Sequence, residues 1–181
     1  MCKSNEKSCY EWTTKDKVLY AISMIPFVAV FSMTAAILYT FSVWLMVVFL
    51  ALYVTVNFFQ AGCCIGCPYR GRYCPALCGV YLGNFLSTIL YKNRTEHDPK
   101  FFKLNAGFGQ SILYIAILFP VYWIYTFSWV YLIVYFVLLL AHFLIFMSSQ
   151  CGKCSYNNTC PGGKMWCGLT GRKNGCNKHN K

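Results

Sequence analysis

Residues 129–148 read WVYLIVYFVLLLAHFLIFMS, a run without Asp, Glu, Lys or Arg. A helix that crosses a bilayer needs about 20 mostly apolar residues, and this run supplies them. Working outward, Val18 to Tyr39, Val43 to Ala61 and Phe108 to Tyr125 have the same character. The chain as a whole is 57% apolar and 12% charged, too apolar for a soluble domain. The first stretch is too long for a signal-peptide core and has no small-residue cleavage site before the next span, so it is expected to be a retained helix. The expected fold is all-α, an integral membrane bundle of four transmembrane helices.

The charges predict how the bundle lies. All 16 Lys and Arg residues fall in 1–17, 63–106 and 150–181, and none falls in the turns near Phe41 and Phe127. Four spans put those three stretches on one side. By the excess of positive charge on cytoplasmic loops, both termini and the intervening loop are expected to be cytoplasmic in a plasma (inner) membrane. Aromatic residues around the turns (Tyr39, Phe41, Trp44; Trp123, Tyr125, Phe127, Trp129) suit the opposite interface. The net charge of +11 is scattered rather than gathered in a polybasic run. It reads as topology and attraction to anionic headgroups, with no nucleic-acid partner. Asn93-x-Thr95 and Asn157-x-Thr159 match a glycosylation pattern that would be inert on a cytoplasmic face.

The chain also repeats itself. Tyr39-Thr40-Phe41-Ser42 recurs 86 positions later as Tyr125-Thr126-Phe127-Ser128, and Cys64-x2-Cys67-x6-Cys74-Pro75 recurs as Cys151-x2-Cys154-x5-Cys160-Pro161. A nearly constant offset predicts duplication. The expected organisation is an N-terminal tail (1–17), a first repeat (18–78), an interfacial helix and polar linker (79–106), a second repeat (107–167) and a basic C-terminal tail (168–181). Two spans per repeat give both copies one orientation, as tandem parallel helical hairpins, each followed by a cytoplasmic Cys-rich loop. Between the repeats, Leu82, Phe85, Leu86, Ile89 and Leu90 mark one helical face. That face is expected in the interface, against lipid or against the bundle. Pro26 and Pro120 predict kinks but do not align under the offset.

All twelve cysteines lie at or beyond the span ends, on the predicted cytoplasmic side, where thiols stay reduced. Closely spaced cysteines there point to metal or redox chemistry before structural disulfides. A tight loop aims two thiolates at one centre and a third closes it. The candidate ligands are Cys64, Cys67, Cys74 and Cys78 in the first copy. In the second they are Cys151, Cys154, Cys160 and Cys167, with Cys63, Cys176, Cys2 and Cys9 as alternatives. Four thiolates hold either a tetrahedral zinc or an iron–sulfur cluster. The Cys-Pro pairs and the lack of histidine in the loops favour iron–sulfur, with two 4Fe–4S clusters as the full complement.

The layout of paired spans followed by cytoplasmic Cys loops resembles the membrane ferredoxin-maturation and quinol-oxidising proteins of nitrate and nitrous-oxide respiration. Cys63-x3-Cys67-Pro68 carries the likeness; the second copy lacks that spacing, and the added ferredoxin domain is missing. Asn57 and His142 lie within spans, seven and nine residues before their loops. Polar groups there mark either a quinone, haem or proton-relay contact or an interhelical hydrogen bond. The second role is the commoner.

Only five acidic residues occur, none in a span, and no nucleophile–base set or phosphate loop is recognisable. Hydrolysis and ion-coupled transport are therefore disfavoured. The expected function is a membrane-anchored iron–sulfur subunit, passing electrons between a soluble donor and a quinone or larger membrane complex. It is more a part of a redox complex than a stand-alone enzyme. The alternatives are a zinc-stapled accessory subunit and a thiol–disulfide oxidoreductase.

Overall fold

Thr13 opens the first helix with a reciprocal cap. Its hydroxyl accepts from the Asp16 amide, and the Asp16 carboxylate accepts from the Thr13 amide at 3.1 Å and from its hydroxyl at 2.7 Å. The structure, a computed structural model, describes residues 11–65, 67, 69–71, 73–74, 80–94, 98–151 and 161–170; of residues 80–81 and 161–164 it describes the backbone alone. In chain order the helices are α1 (Thr14–Phe41), α2 (Val43–Cys63), α3 (Val80–Leu90), α4 (Pro99–Leu118), α5 (Val121–Phe127) and α6 (Trp129–Phe146). A π-helical turn (Met147–Cys151) and α7 (Pro161–Thr170) follow. No strand occurs among the described residues.

Four helical segments are long and apolar enough to cross a membrane: α1, α2, α4 continued by α5, and α6 with its π turn. The third starts earlier than the apolar run predicts. Asp98 caps it by accepting from the Lys100 and Phe101 amides, and Pro99 takes the first turn, where its missing amide costs nothing. Residues 99–106, expected as polar linker, are thus helical.

Polar side chains of the spans lie inside beside an apolar core, and many large apolar ones face outward, as suits a lipid environment. Ser23, Thr34, Asn57, His142 and Gln150 are buried, whereas Ile25 is 66% exposed and Leu118 65%. The helices pack in a ring: α1 against α2 and α6, α2 against α4, and α5 against α6 and α1. Close approach on the α2–α4 side depends on Gly62, where a Cβ would sit 2.4 Å from Asn105 Oδ1.

The two tight corners are alike. Ser42 and Ser128 are each the single extended residue between two helices, at φ/ψ of −168/137° and −171/133°. Each donates its amide to the carbonyl four residues back, at 2.9 Å. The rings of Phe41 and Phe127, which occupy equivalent places, meet edge to face at 6.5 Å. Burial also repeats at the 86-residue offset: Ser23 with Gly109, Val30 with Ala116, Thr34 with Pro120, Leu38 with Ile124, Phe49 with Tyr135, Val56 with His142 and Ala61 with Met147.

The two prolines differ in effect. α1 runs unbroken through Pro26. Pro120, fully buried, separates α4 from α5. At that break the Tyr135 hydroxyl donates to the Ile117 carbonyl at 2.7 Å, so a neighbouring helix serves a carbonyl beside the interruption. We expect Tyr135→Phe to lower stability by about 1–3 kcal/mol, read as a fall in Tm in detergent. The loss should shrink in a Pro120→Ala background, where the helix ladder can re-form. Equal losses in both backgrounds would detach the hydroxyl from the proline break.

Candidate functional site

The first cysteine loop leaves α2 as a series of turns. The amides of Cys64, Cys67 and Arg70 donate to the carbonyls of Ala61, Cys64 and Cys67, at 3.2, 3.2 and 3.0 Å. Two residues then fasten this loop to α3. Asn84, buried on α3, accepts from the Gly71 amide at 3.0 Å and donates to the Tyr69 carbonyl at 3.1 Å. The Arg70 guanidinium donates to the carbonyls of Ser87, Tyr91 and Arg94. Two of these carbonyls, Ser87 and Tyr91, also accept from the Tyr91 and Arg94 amides, so the guanidinium adds a second donor there and sets its charge favourably at a helix C-terminus. Gly71 takes φ of +71°, a conformation that suits glycine.

α3 turns its small and polar face inward. Gly83, Asn84 and Ser87 are buried, while Leu82, Phe85, Ile89 and Leu90 are exposed. Of the two placements expected for the apolar stripe, against lipid or against the bundle, the outward one is observed. That same stripe carried the signal for Asn84, because the residues between its members must form the opposite face. Arg70 had no local signal, since the carbonyls it serves lie 17 to 24 positions away.

Beyond the clamp the loop reaches α1 and α6. Trp12 lies near Tyr69 and Tyr73, with ring centroids 6.1 and 6.2 Å apart. Tyr20 meets Tyr73 at 6.0 Å and Phe146 at 6.2 Å, both edge to face. The Lys17 ammonium stands 5.4 Å from the Tyr73 ring centre. Met24, Tyr73, Cys151 and Trp166 all pack against the core of Tyr20, Phe146 and Met147. Gln150 secures this corner by donating to the Asp16 carbonyl at 3.0 Å.

Cys63, Cys64, Cys67, Cys74 and Cys151 are half-buried and in thiol form. Cys167 stands in a disulfide, and a disulfide sulfur is not a thiolate donor. Among the described residues no three Cys, His, Asp or Glu side chains form a group able to hold a metal ion. Cys64, Cys67 and Cys74 are therefore not gathered at one point in this conformation. Cys63 turns elsewhere, its sulfur 4.0 Å from the Phe102 carbonyl. Cys78, Cys154 and Cys160, and the alternatives Cys2, Cys9 and Cys176, lie outside the described residues.

The intramembrane polar groups do not meet. His142 Nδ1 lies 2.7 Å from the Ser23 carbonyl. A carbonyl only accepts, so Nδ1 carries the proton, and Nε2 is buried with no partner. The bond ties α6 to α1. Asn57 donates to Tyr53 of its own helix at 2.8 Å, and its Oδ1 is buried without a partner. A cavity of about 50 Å³ lies between the four spans, lined by Phe27, Thr34, Phe49, Tyr53, Ala116 and Tyr135 among others. Neither His142 nor Asn57 lines it. An apolar cavity that admits benzene measures ~150 Å³, so this one does not admit a quinone head group as it stands.

Burial pushes the Cys64 thiol up to about 12, with Cys63 adding to the rise and Arg70 opposing it. Cys64 is therefore protonated at neutral pH and a poor nucleophile. Its alkylation rate, followed by peptide mass spectrometry, should keep rising about tenfold per pH unit beyond pH ~9.5, where an ordinary thiol near pKa ~8.5 has levelled off. A plateau by pH ~9.5 would contradict the buried placement. Removing the clamp with Arg70→Gln or Asn84→Ala should speed alkylation of Cys67 and Cys74 by roughly 5- to 100-fold, the equivalent of about 1–3 kcal/mol of lost hydrogen bonding. Unchanged rates would mean that the loop holds without α3. No protein-family model, characterised protein or solved structure matches this chain.

Proposed function

We propose that this chain is a membrane-embedded redox subunit that holds an iron–sulfur centre on cysteine thiolates at one face of its bundle. It passes electrons between a soluble donor and a membrane partner. The observation that carries this reading is the set of five half-buried thiols, Cys63, Cys64, Cys67, Cys74 and Cys151, where the chain leaves the spans. Such a position gives a cluster both an apolar wall and access from solution, two of the factors that set its potential. The small cavity favours a larger membrane complex over a quinone bound within the bundle as the electron partner.

Two further parts of the reading concern architecture. The matching corners, the Phe41–Phe127 contact and the repeated burial support two parallel hairpin repeats related by a pseudo-twofold axis along the membrane normal. The distribution of Lys and Arg supports a cytoplasmic placement of both termini and the cysteine loops.

The Cys167 disulfide favours a second reading, thiol–disulfide exchange, because a disulfide on a cytoplasmic face is commonly a transient, reactive one. Metal analysis separates the two. Protein purified without oxygen in detergent should carry iron and acid-labile sulfide in equal amounts, with a visible absorbance that bleaches on reduction. Zinc without sulfide would replace the redox role with a structural one, and no metal at all would leave thiol exchange.

A further inference from the structure

The four spans do not close on one another evenly. α1 packs against α2 and α6, and α2 against α4, but among the described residues α4 and α6 share no comparable packing. The third span divides at Pro120, and beyond the break it is α5 that turns against α6 and α1. Just before the break, the Tyr135 hydroxyl reaches across from α6 to the Ile117 carbonyl of α4. In the first hairpin the two helices pack directly, and Phe31 of α1 meets Phe49 and Tyr53 of α2 with ring centroids 5.2 and 5.0 Å apart. The cavity of about 50 Å³ takes its walls from all four spans. Leu113 of α4 and Leu139 and Phe143 of α6 are half-buried on it, whereas Thr34, Phe49 and Ala116 are buried.

We propose that this cavity binds the end of a lipid hydrocarbon chain, which enters sideways between α4 and α6. The site stands apart from the redox reading above. The character of the wall decides between a chain and water. At about 50 Å³ the cavity has room for roughly three waters of ~15 Å³ each. A buried water, however, needs about two to four polar partners. The wall is almost wholly apolar, and the Thr34 hydroxyl, buried on it, makes no hydrogen bond. Such a space stays dry, and the atoms around it forgo dispersion contacts that an apolar guest restores. The surroundings supply that guest. Leu118 and Leu140, the chain neighbours of Ile117 and Leu139 on the walls, are exposed on candidate spans, where lipid tails lie. A hydrocarbon chain is narrower than the aromatic ring that needs ~150 Å³, so it enters where a quinone head group does not. Pro120 gains a role from this arrangement: it lets α5 close the corner end of the bundle while α4 stays with α2.

The test places the full chain in nanodiscs of a phosphatidylcholine that carries a diazirine near the end of one acyl chain. After irradiation, adducts are mapped by mass spectrometry. Surrounding lipid should label exposed Leu118 and Leu140 in any case. Adducts on Thr34 and Phe49, which surrounding lipid does not touch, are expected as well; label on the exposed pair alone would overturn the site. Ala116→Leu fills the cavity and should remove the adducts on Thr34 and Phe49 while leaving those on Leu118 and Leu140. Leu139→Trp, at the half-buried wall, should do the same if the first variant does not melt cooperatively. Interior adducts that persist in cooperatively melting protein of either kind would show that they do not come from the cavity. Thr34→Val separates a dry site from a wet one. Unchanged or higher Tm with the interior label retained upholds the chain site, because the hydroxyl that is lost had no partner. A lower Tm with loss of that label would mean that water fills the space, and would overturn it.

Discussion

Inside a bilayer no water is present to serve an amide or carbonyl, so each must find its partner within the protein. This constraint explains the shape of the four candidate spans. It makes the spans helical and limits the corners to Ser42 and Ser128, each of which returns its amide to the helix it ends. It explains why Pro120 is accompanied by a Tyr135 hydroxyl directed at Ile117. It also accounts for the inward direction of the polar side chains. Ser23, Asn57 and His142 serve backbone carbonyls of their own or a neighbouring helix, while many branched and aromatic residues face out.

The same constraint made the spans legible. A run such as 129–148 cannot be anything but a spanning or deeply buried helix, and the matching Tyr-Thr-Phe-Ser corners were visible before any coordinates. The start of α4 was harder to see. Lys100, Lys103 and Asn105 dilute the hydropathy there, and the true signal was the Asp98–Pro99 start. The cysteine loops were the least legible part. Spacing showed that Cys64, Cys67 and Cys74 lie within one loop, but whether they reach one point depends on where Arg70 and Asn84 pull it. The Arg70 contacts are long-range and leave no periodic trace; of the clamp, only the place of Asn84 opposite the apolar stripe was visible.

The departure from symmetry is as informative as the symmetry. The two corners match, and burial recurs at the same offset along the spans. The seams themselves differ. The α1–α6 seam is aromatic and polar, with Tyr20, His142, Phe146 and Gln150. The α2–α4 seam holds Gly62 and Gly109, with Asn105 close to Gly62. Packing between helices tolerates such differences if volume is kept.

The one-residue corners have a consequence for how this protein meets its surroundings. With a single residue between successive helices at Ser42 and again at Ser128, that end of the bundle exposes almost no chain above the headgroups. An antibody, a protease or a soluble carrier approaching from there would find little to grip. The two ends of the bundle are therefore unequal: two one-residue corners close one, and the described caps and loop turns lie at the other.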